Sequence, residues 1–367
     1  AASAAEGTDV VFLCVPTPQD DDGSADLSYI EAAAAEIAPV LRPGAIVVNK
    51  STVPVGSARV VELVLRRDDV RVVSNPEFLR EGTAVHDFLH PDRVVIGSDD
   101  AGAAGTVAAL YEPLDTEIIL TDAASAETIK YAANGFLAMK ISFVNAVAAL
   151  CEAVGADVHA VVEGIGSDRR IGRAFLRPGP GWGGSCFPKD SRALVSIAEK
   201  HGYDFSMMRG VIAVNEQQLD RMVSKIAEAA GRSTTGPAPL EGLRVGVLGL
   251  TFKAGTDDLR ESPSLAIIER LRLLGADVQG YDPTTRGQLD SVQARRLGDL
   301  RVASDPYEVA VDAHVLTVMT EWPEFAELDL GRLAGAMAGD AVVDTRNLLD
   351  PEAVRRAGLR YDGVGRR

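Results

Sequence analysis

Residues 243–253, "LRVGVLGLTFK", form a short apolar run that stops at a glycine. "SPSLAIIERLRLLGA" (262–276) follows, helical in pattern with a proline near its start, and then "VQGYDP" (278–283), strand-like again. Strand, helix and strand in that order make a βαβ unit, whose strands run parallel because the helix carries the chain back. Further strands are predicted at "AHVLTVMT" (313–320) and "GDAVVDTRN" (339–347), so 243–367 reads as one α/β domain. On its N-terminal side "GRSTTGPAPLEG" (231–242) has the composition of a linker. Before the linker, residues 121–230 read as helical, led by the proline-free stretch 125–154, which is apolar on most faces. Such a helix is expected to be buried between domains or between subunits.

The alternation returns in residues 1–120. Strands are predicted at "DVVFLCVP" (9–16), "AIVVNKST" (45–52), "VRVVSNPEF" (70–78) and "PDRVVIGS" (91–98), with helices near 28–41 and 55–67. The fold class is therefore α/β: two Rossmann-like, doubly wound parallel-sheet domains joined by a long central helix and a helical region. A dinucleotide-binding sheet opens with a strand, G-x-G-x-x-G and a helix. No such fingerprint precedes Val10, so the first domain is expected to be incomplete at its N-terminus, by about 70 residues. Weak NAD binding and little turnover are the corresponding expectations. Gly249 belongs to the other block and has the wrong spacing for a fingerprint; a tight strand-to-loop turn explains it equally well.

A net charge of −16 argues against a nucleic-acid surface. There is no uninterrupted apolar run of about 18 residues, so no membrane span is implied. Cys14, Cys151 and Cys186 are odd in number and far apart, which fits neither a disulfide framework nor a C-x-x-C metal site. A reducing cytoplasm is the natural setting. Cys14 and Cys151 read as buried small hydrophobes. Cys186 is different: it sits in "GWGGSCFPKD" (181–190), where glycines allow close backbone approach and Lys189 and Arg192 follow. A buried turn cysteine and a reactive thiol both remain open on that composition.

Lys130 and Asn134 lie four apart on the long helix and share a face. They can be a lysine and an amide satisfied locally, or two donors aimed at one oxyanion. Glu77 and Glu81 follow a strand and can serve as base, ribose ligand or helix N-terminal charges. Ser51 and Thr52 sit at a strand end, where open α/β sheets bind ligands. Asp282 ends a strand and is either a ribose acceptor or a helix cap.

Eight runs carry a resemblance in a fixed order: residues 15–33, 51–57, 75–97 ("NPEFLREGTAVHDFLHPDRVVIG"), 127–145, 168–172 ("DRRIG"), 178–190, 245–264 and 344–347 ("DTRN"). The chain resembles the UDP-glucose 6-dehydrogenase family, within the wider UDP-glucose/GDP-mannose dehydrogenase family. The resemblance implies NAD-dependent, four-electron oxidation of UDP-glucose to UDP-glucuronate through a cysteine thiohemiacetal and thioester. It casts Cys186 as the nucleophile, Lys130 and Asn134 as oxyanion donors, and Asp190 as the carboxylate beside the reacting carbon. Glu77, Glu81 and Thr52 match the groups that handle the proton and the hydrolytic water. Thr17, Thr52, Glu81, Lys189 and Arg260 match cofactor contacts. Substrate contacts are implied for Glu77, Phe78, Leu79, Arg80, Glu81, Lys130 and Asn134. Arg170, Phe175, Leu176, Arg177, Pro178, Gly179, Gly183 and Lys253 complete that set. Arg170 matches a residue that reaches across a dimer, so a homodimer is expected, and the second α/β domain matches a UDP-binding half. Alternatives are a relative acting on GDP-mannose or a UDP-N-acetylhexosamine, and a non-catalytic nucleotide-sugar-binding protein.

Overall fold

The computed structural model describes residues 1–18, 25–286 and 290–366; residues 19–24 of the run 15–33 lie outside them. Two compact units result, one from residues 1–136 and 189–206, the other from 137–188 and 207–367.

The first unit holds a five-stranded sheet: β1 (Val10–Leu13), β2 (Ile46–Asn49), β3 (Arg71–Ser74), β4 (Val94–Gly97) and β5 (Ile118–Thr121), side by side in chain order. Helices α1 (Ser28–Ile37), α2 (Ser57–Leu65) and α3 (Ala101–Ala109) cover it. Strand residues alternate faces. Val47 and Val72 accordingly pack with Ile30, Ala34, Ile37, Val61 and Leu65 of α1 and α2. Their neighbours Val48 and Val73 pack with Ile96 of β4 and with Ala103 and Val107 of α3. Both faces are buried, which is why these strands read as continuous apolar runs. Each fully buried Ile or Leu on α1 and α2 contributes about 1.5–3 kcal/mol.

Two features differ from the expectation. β3 and β4 are antiparallel while the other pairs are parallel. The connection 75–93 holds one short helix, Ala84–Leu89, and does not bring the chain back to run parallel to β3, so "NPEFLREG" stays at the carboxyl ends of β1–β3. Cys14 is exposed rather than buried. It follows β1, which pairs on one side only among the described residues, with β2.

In the second unit β6 (Arg244–Leu248), β7 (Asp277–Tyr281), β8 (Arg301–Val302), β9 (Val315–Val318), β10 (Ala341–Asp344) and β11 (Arg360–Gly363) form an all-parallel sheet. Its order, β8-β7-β6-β9-β10-β11, is the doubly wound order, with its switch point between β6 and β9. The expected strands at 313–320 and 339–347 are β9 and β10, and the expected helix is α8 (Pro263–Leu273).

Between the two sheets in chain order run the helices α4 (Ala123–Val154), α5 (Val158–Gly166), α6 (Phe187–Lys200) and α7 (Ser206–Ala229). α4 is long and apolar enough by composition to cross a membrane. However, Glu127, Lys130, Asn134, Ser142 and Asn145 are all buried on it. Phe136, Phe143, Leu150 and Val154, spaced seven, seven and four apart, are exposed along the same helix.

Candidate functional site

In the first unit the site grows from the first three turns of α4. Glu127, Lys130 and Asn134 fall three and four apart, on one buried face. Glu127 caps α2 from outside: its carboxylate accepts from Gly56 N (2.6 Å), Ala58 N (2.9 Å) and the Ser74 hydroxyl (2.9 Å). The free amides of a helix start give such an anion its partners. Burial nonetheless pushes the Glu127 carboxyl above its ordinary range, against those hydrogen bonds. The sequence reading passed over Glu127, although its spacing from Lys130 and Asn134 was the available signal.

Lys130 donates to Glu77 Oε1 at 3.0 Å, and its side chain is almost wholly buried. Glu77 Oε2 accepts from Leu79 N at 2.6 Å, which closes the "NPEFLREG" turn on its own carboxylate. Phe78 braces the same turn: the Arg93 guanidinium stacks 3.7 Å from its ring centre, and Lys130 Nζ lies 5.5 Å away. Arg80 is exposed and paired to Asp87, whose carboxyl the guanidinium holds far below its usual range. Glu81 is half-buried in the same turn.

Asn134 donates to Asp190 Oδ2 at 2.6 Å, and Lys189 donates to Asp190 Oδ1 at 2.8 Å. Asp190 is buried, so its charge is matched by an ammonium and an amide at close range. Both members of the Lys130/Asn134 pair therefore face a carboxylate. Thr17 Oγ1 donates to Thr52 O at 2.8 Å, tying together the loops after β1 and β2. Thr52 and Lys130 line one recess with Asn49, Ser51, Ser74 and Glu127. Thr17, Thr52 and Glu81 thus stand on loops at carboxyl ends of parallel strands, the position from which such sheets hold a dinucleotide. That donor set fits NAD.

Cys186 belongs to the second unit and is half-buried, with Sγ 3.5 Å from Ser185 Oγ. Buried amides pin the loop before it. Asn215 accepts from Trp182 N (2.9 Å) and donates to Trp182 O (3.1 Å). Gly179 N donates to Asn145 Oδ1 (2.8 Å), and Gln218 donates to Gly179 O (2.7 Å). Trp182 Nε1 donates to Ser142 Oγ (2.9 Å), and Gly184 N to Arg260 O (3.1 Å). Gly184 has φ +81°, a left-handed conformation that glycine adopts without strain. The loop is a fixed support for the thiol, and α6 starts at Phe187, the next residue.

The other expected residues of this unit lie as follows. Phe175 packs near Phe187, ring centres 6.2 Å apart, while Leu176 is buried. Arg177 is exposed, and Pro178 is half-buried. Lys253 Nζ is 5.5 Å from the Phe252 ring centre. Arg260 pairs with Asp258 at 2.9 Å. Arg170 is 88% exposed and pairs with Asp168. Asp282 proves to be a brace: its carboxylate accepts from Leu250 N, Thr251 N and Oγ1, Thr284 N and Oγ1, and Trp322 Nε1. With every acceptor direction used inside the fold, the capping reading of Asp282 holds over the ribose reading. Arg346 was not singled out, yet its guanidinium donates to Met319 O and Phe252 O.

Residues 1–115 match the NAD binding domain of the UDP-glucose/GDP-mannose dehydrogenase family, 124–217 its central domain and 246–351 its UDP binding domain. A UDP-glucose 6-dehydrogenase of Rhizobium meliloti is 46% identical, over 99% of this chain and 83% of the relative. One from Pseudomonas aeruginosa is 44% identical, over 100% and 83%. A solved UDP-glucose dehydrogenase of Pyrobaculum islandicum superposes with TM-score 0.87 at 38% identity, covering 100% of this chain and 82% of that one. A UDP-D-ManNAc dehydrogenase of Pyrococcus horikoshii gives 0.83 at 30%, covering 100% and 83%.

Proposed function

This chain belongs to the UDP-glucose/GDP-mannose dehydrogenase family, and we propose that it oxidises UDP-glucose to UDP-glucuronate with two NAD+. The observation that carries the reading is the paired arrangement Lys130–Glu77 and Asn134–Asp190 on one buried helix face, in a chain that also fixes Cys186 in a braced loop. Bound NAD+ supplies the hydride acceptor for each of the two oxidations.

In this reading Lys130 and Asn134 donate to the C6 oxygen as it gains negative charge, and a glutamate, Glu77 or Glu81, takes the hydroxyl proton. Cys186 adds to the aldehyde. The new tetrahedral carbon again carries a hydrogen, so a second hydride can leave and a thioester remains. Thr52 and Asp190 hold the water that cleaves it, releasing the acid and restoring the thiol. Per sugar, one alcohol and one water become one carboxylate, two hydrides and three protons. Arg170, Phe175, Leu176, Arg177, Pro178, Gly179, Gly183 and Lys253 would embrace the sugar nucleotide. Residues 1–120, 121–230 and 243–367 would act as NAD-binding, central and UDP-binding domains.

The test is stoichiometry: two NADH per UDP-glucose consumed supports the reading, and one contradicts it. GDP-mannose and UDP-N-acetylmannosamine run as competitors decide the substrate. Asn134→Ala should lower kcat by about 10²–10³-fold, with two NADH still formed per product, since one oxyanion donor is lost and the nucleophile is kept. Asp190 also loses its amide partner, so thermal melting must be followed alongside.

A homodimer completes the proposal. Exposed Phe136, Phe143, Leu150 and Val154 on α4 make a stripe that a second copy can cover, and Arg170, exposed on its surface pair with Asp168, would exchange that partner for a group in the second copy's site. Phe143→Asp with Leu150→Asp should turn a dimer into monomers in sedimentation velocity. An unchanged dimer mass would place the interface elsewhere.

A further inference from the structure

The loop that carries Glu77 is held at its first residue by a side chain outside the catalytic set. Asn75 is buried, and its Nδ2 donates to Val95 O at 2.8 Å. Its Oδ1 accepts twice, from Lys50 Nζ at 3.0 Å and from the Tyr111 hydroxyl at 2.5 Å. Lys50 Nζ also donates to Tyr111 Oη at 3.3 Å and lies 5.3 Å from that ring centre. Lys50 directly follows β2, Asn75 directly follows β3, and Tyr111 lies two residues past α3, so the triad ties three elements at one end of the sheet.

Both hydrogen-bond partners of Lys50 are neutral. A neutral amine keeps two N–H groups, enough to serve both Asn75 and Tyr111. Loss of the Lys50 proton therefore changes the charge beside Glu77 and leaves the scaffold bonded. The charged and titratable groups that act on Lys50 are Glu77 and Cys14, which favour its ammonium, and Lys130, which opposes it. Tyr111, its other ionisable neighbour, is itself pushed up to about 12 by burial, so it stays neutral.

We propose that Lys50 is a positioning residue: through Asn75 it fixes the loop that carries Glu77, and through its charge it biases the Glu77–Lys130 pair. Burial brings the Lys50 ammonium down to about 8, within the working range of an enzyme. Below that pH the Lys50 ammonium adds its positive charge to that of Lys130 around the Glu77 carboxylate. Above it that second charge is withdrawn, so proton transfer onto the Glu77 carboxylate is less opposed.

The kinetic part rests on the dehydrogenase reading, so one measurement is kept independent of activity. Selective 13Cε labelling of the lysines, which leaves the amine unmodified, with the Lys50 resonance identified by its absence in Lys50→Arg, reads the titration by NMR. A midpoint near 8 is expected; a midpoint near that of an ordinary lysine, about 10.4, overturns the proposal whatever the substrate. In the activity arm, kcat with UDP-glucose is followed from about pH 6.5 to 9.5, the span that brackets such a titration. Wild type should rise through an inflection near 8. Lys50→Met should lose it, and Lys50→Arg should stay on the low limb throughout. An inflection unchanged in Lys50→Met overturns the charge role. Should that variant melt early, an unchanged inflection in Lys50→Arg does the same. Absence of NADH formation by wild type at saturating NAD+ and high enzyme concentration would refute the dehydrogenase reading and leave the NMR result standing.

Discussion

Cys186→Ala is expected to abolish uronate formation, with kcat for the net reaction falling by at least about 10³-fold, the scale on which loss of a covalent nucleophile is felt. Without the thiol the aldehyde recovers a tetrahedral carbon carrying a hydrogen only by unassisted hydration, so the second oxidation is lost first. Slow single-hydride chemistry can persist, because Lys130, Asn134 and Glu77 remain in the first unit. NADH counted against product by mass spectrometry checks this. Full uronate yield from the variant would exclude the thioester route.

Gly183→Ala is expected to be strongly damaging, since among the glycines described a Cβ there makes the shortest approach. A Cβ there would lie 1.9 Å from Glu261 O and 2.8 Å from Pro263 Cδ. The first obstacle is backbone, which no rotamer change can relieve. The loop 179–186 is itself pinned by Asn145, Asn215 and Gln218, so it has little room to withdraw. Overpacking of this kind costs about 1–3 kcal/mol or more. A fall of several degrees in melting temperature and a loss of activity are expected together. Gly164→Ala is the control: it lies in α5, and its Cβ would meet nothing within 4 Å. That variant should be neutral or slightly stabilising. Equal stability of Gly183→Ala and wild type would mean that the loop does not lie against residues 261–263.

Much of the fold was legible because its strands are buried on both faces. Val47–Val48 and Val72–Val73 must all be apolar when helices cover both sides, and such runs stand out in a polar chain. β5, β8 and β11 escaped notice for the opposite reason. β8 is two residues long, "RYDG" in β11 has no apolar run, and β5 is an edge strand with two exposed residues. The exposure of Cys14 has a related cause: an apolar run predicts burial only if something covers it, and among the described residues β1 pairs on one side only.

The site divides similarly. Residue type and spacing alone placed Lys130 with Asn134 on one helix face, and marked Cys186 as a thiol in an unusual loop, because helical period and glycine content are local properties. Partners are not local. Glu77 lies 53 residues from Lys130 in the chain, and Asp190 lies 56 from Asn134. Only the folded chain could pair each donor with its carboxylate, spend Asp282 on bracing its own loop, and bring Lys50, Asn75 and Tyr111 together from three elements. Local geometry is dictated by neighbours in sequence; the electrostatics of a buried group is dictated by whatever the tertiary fold lays against it.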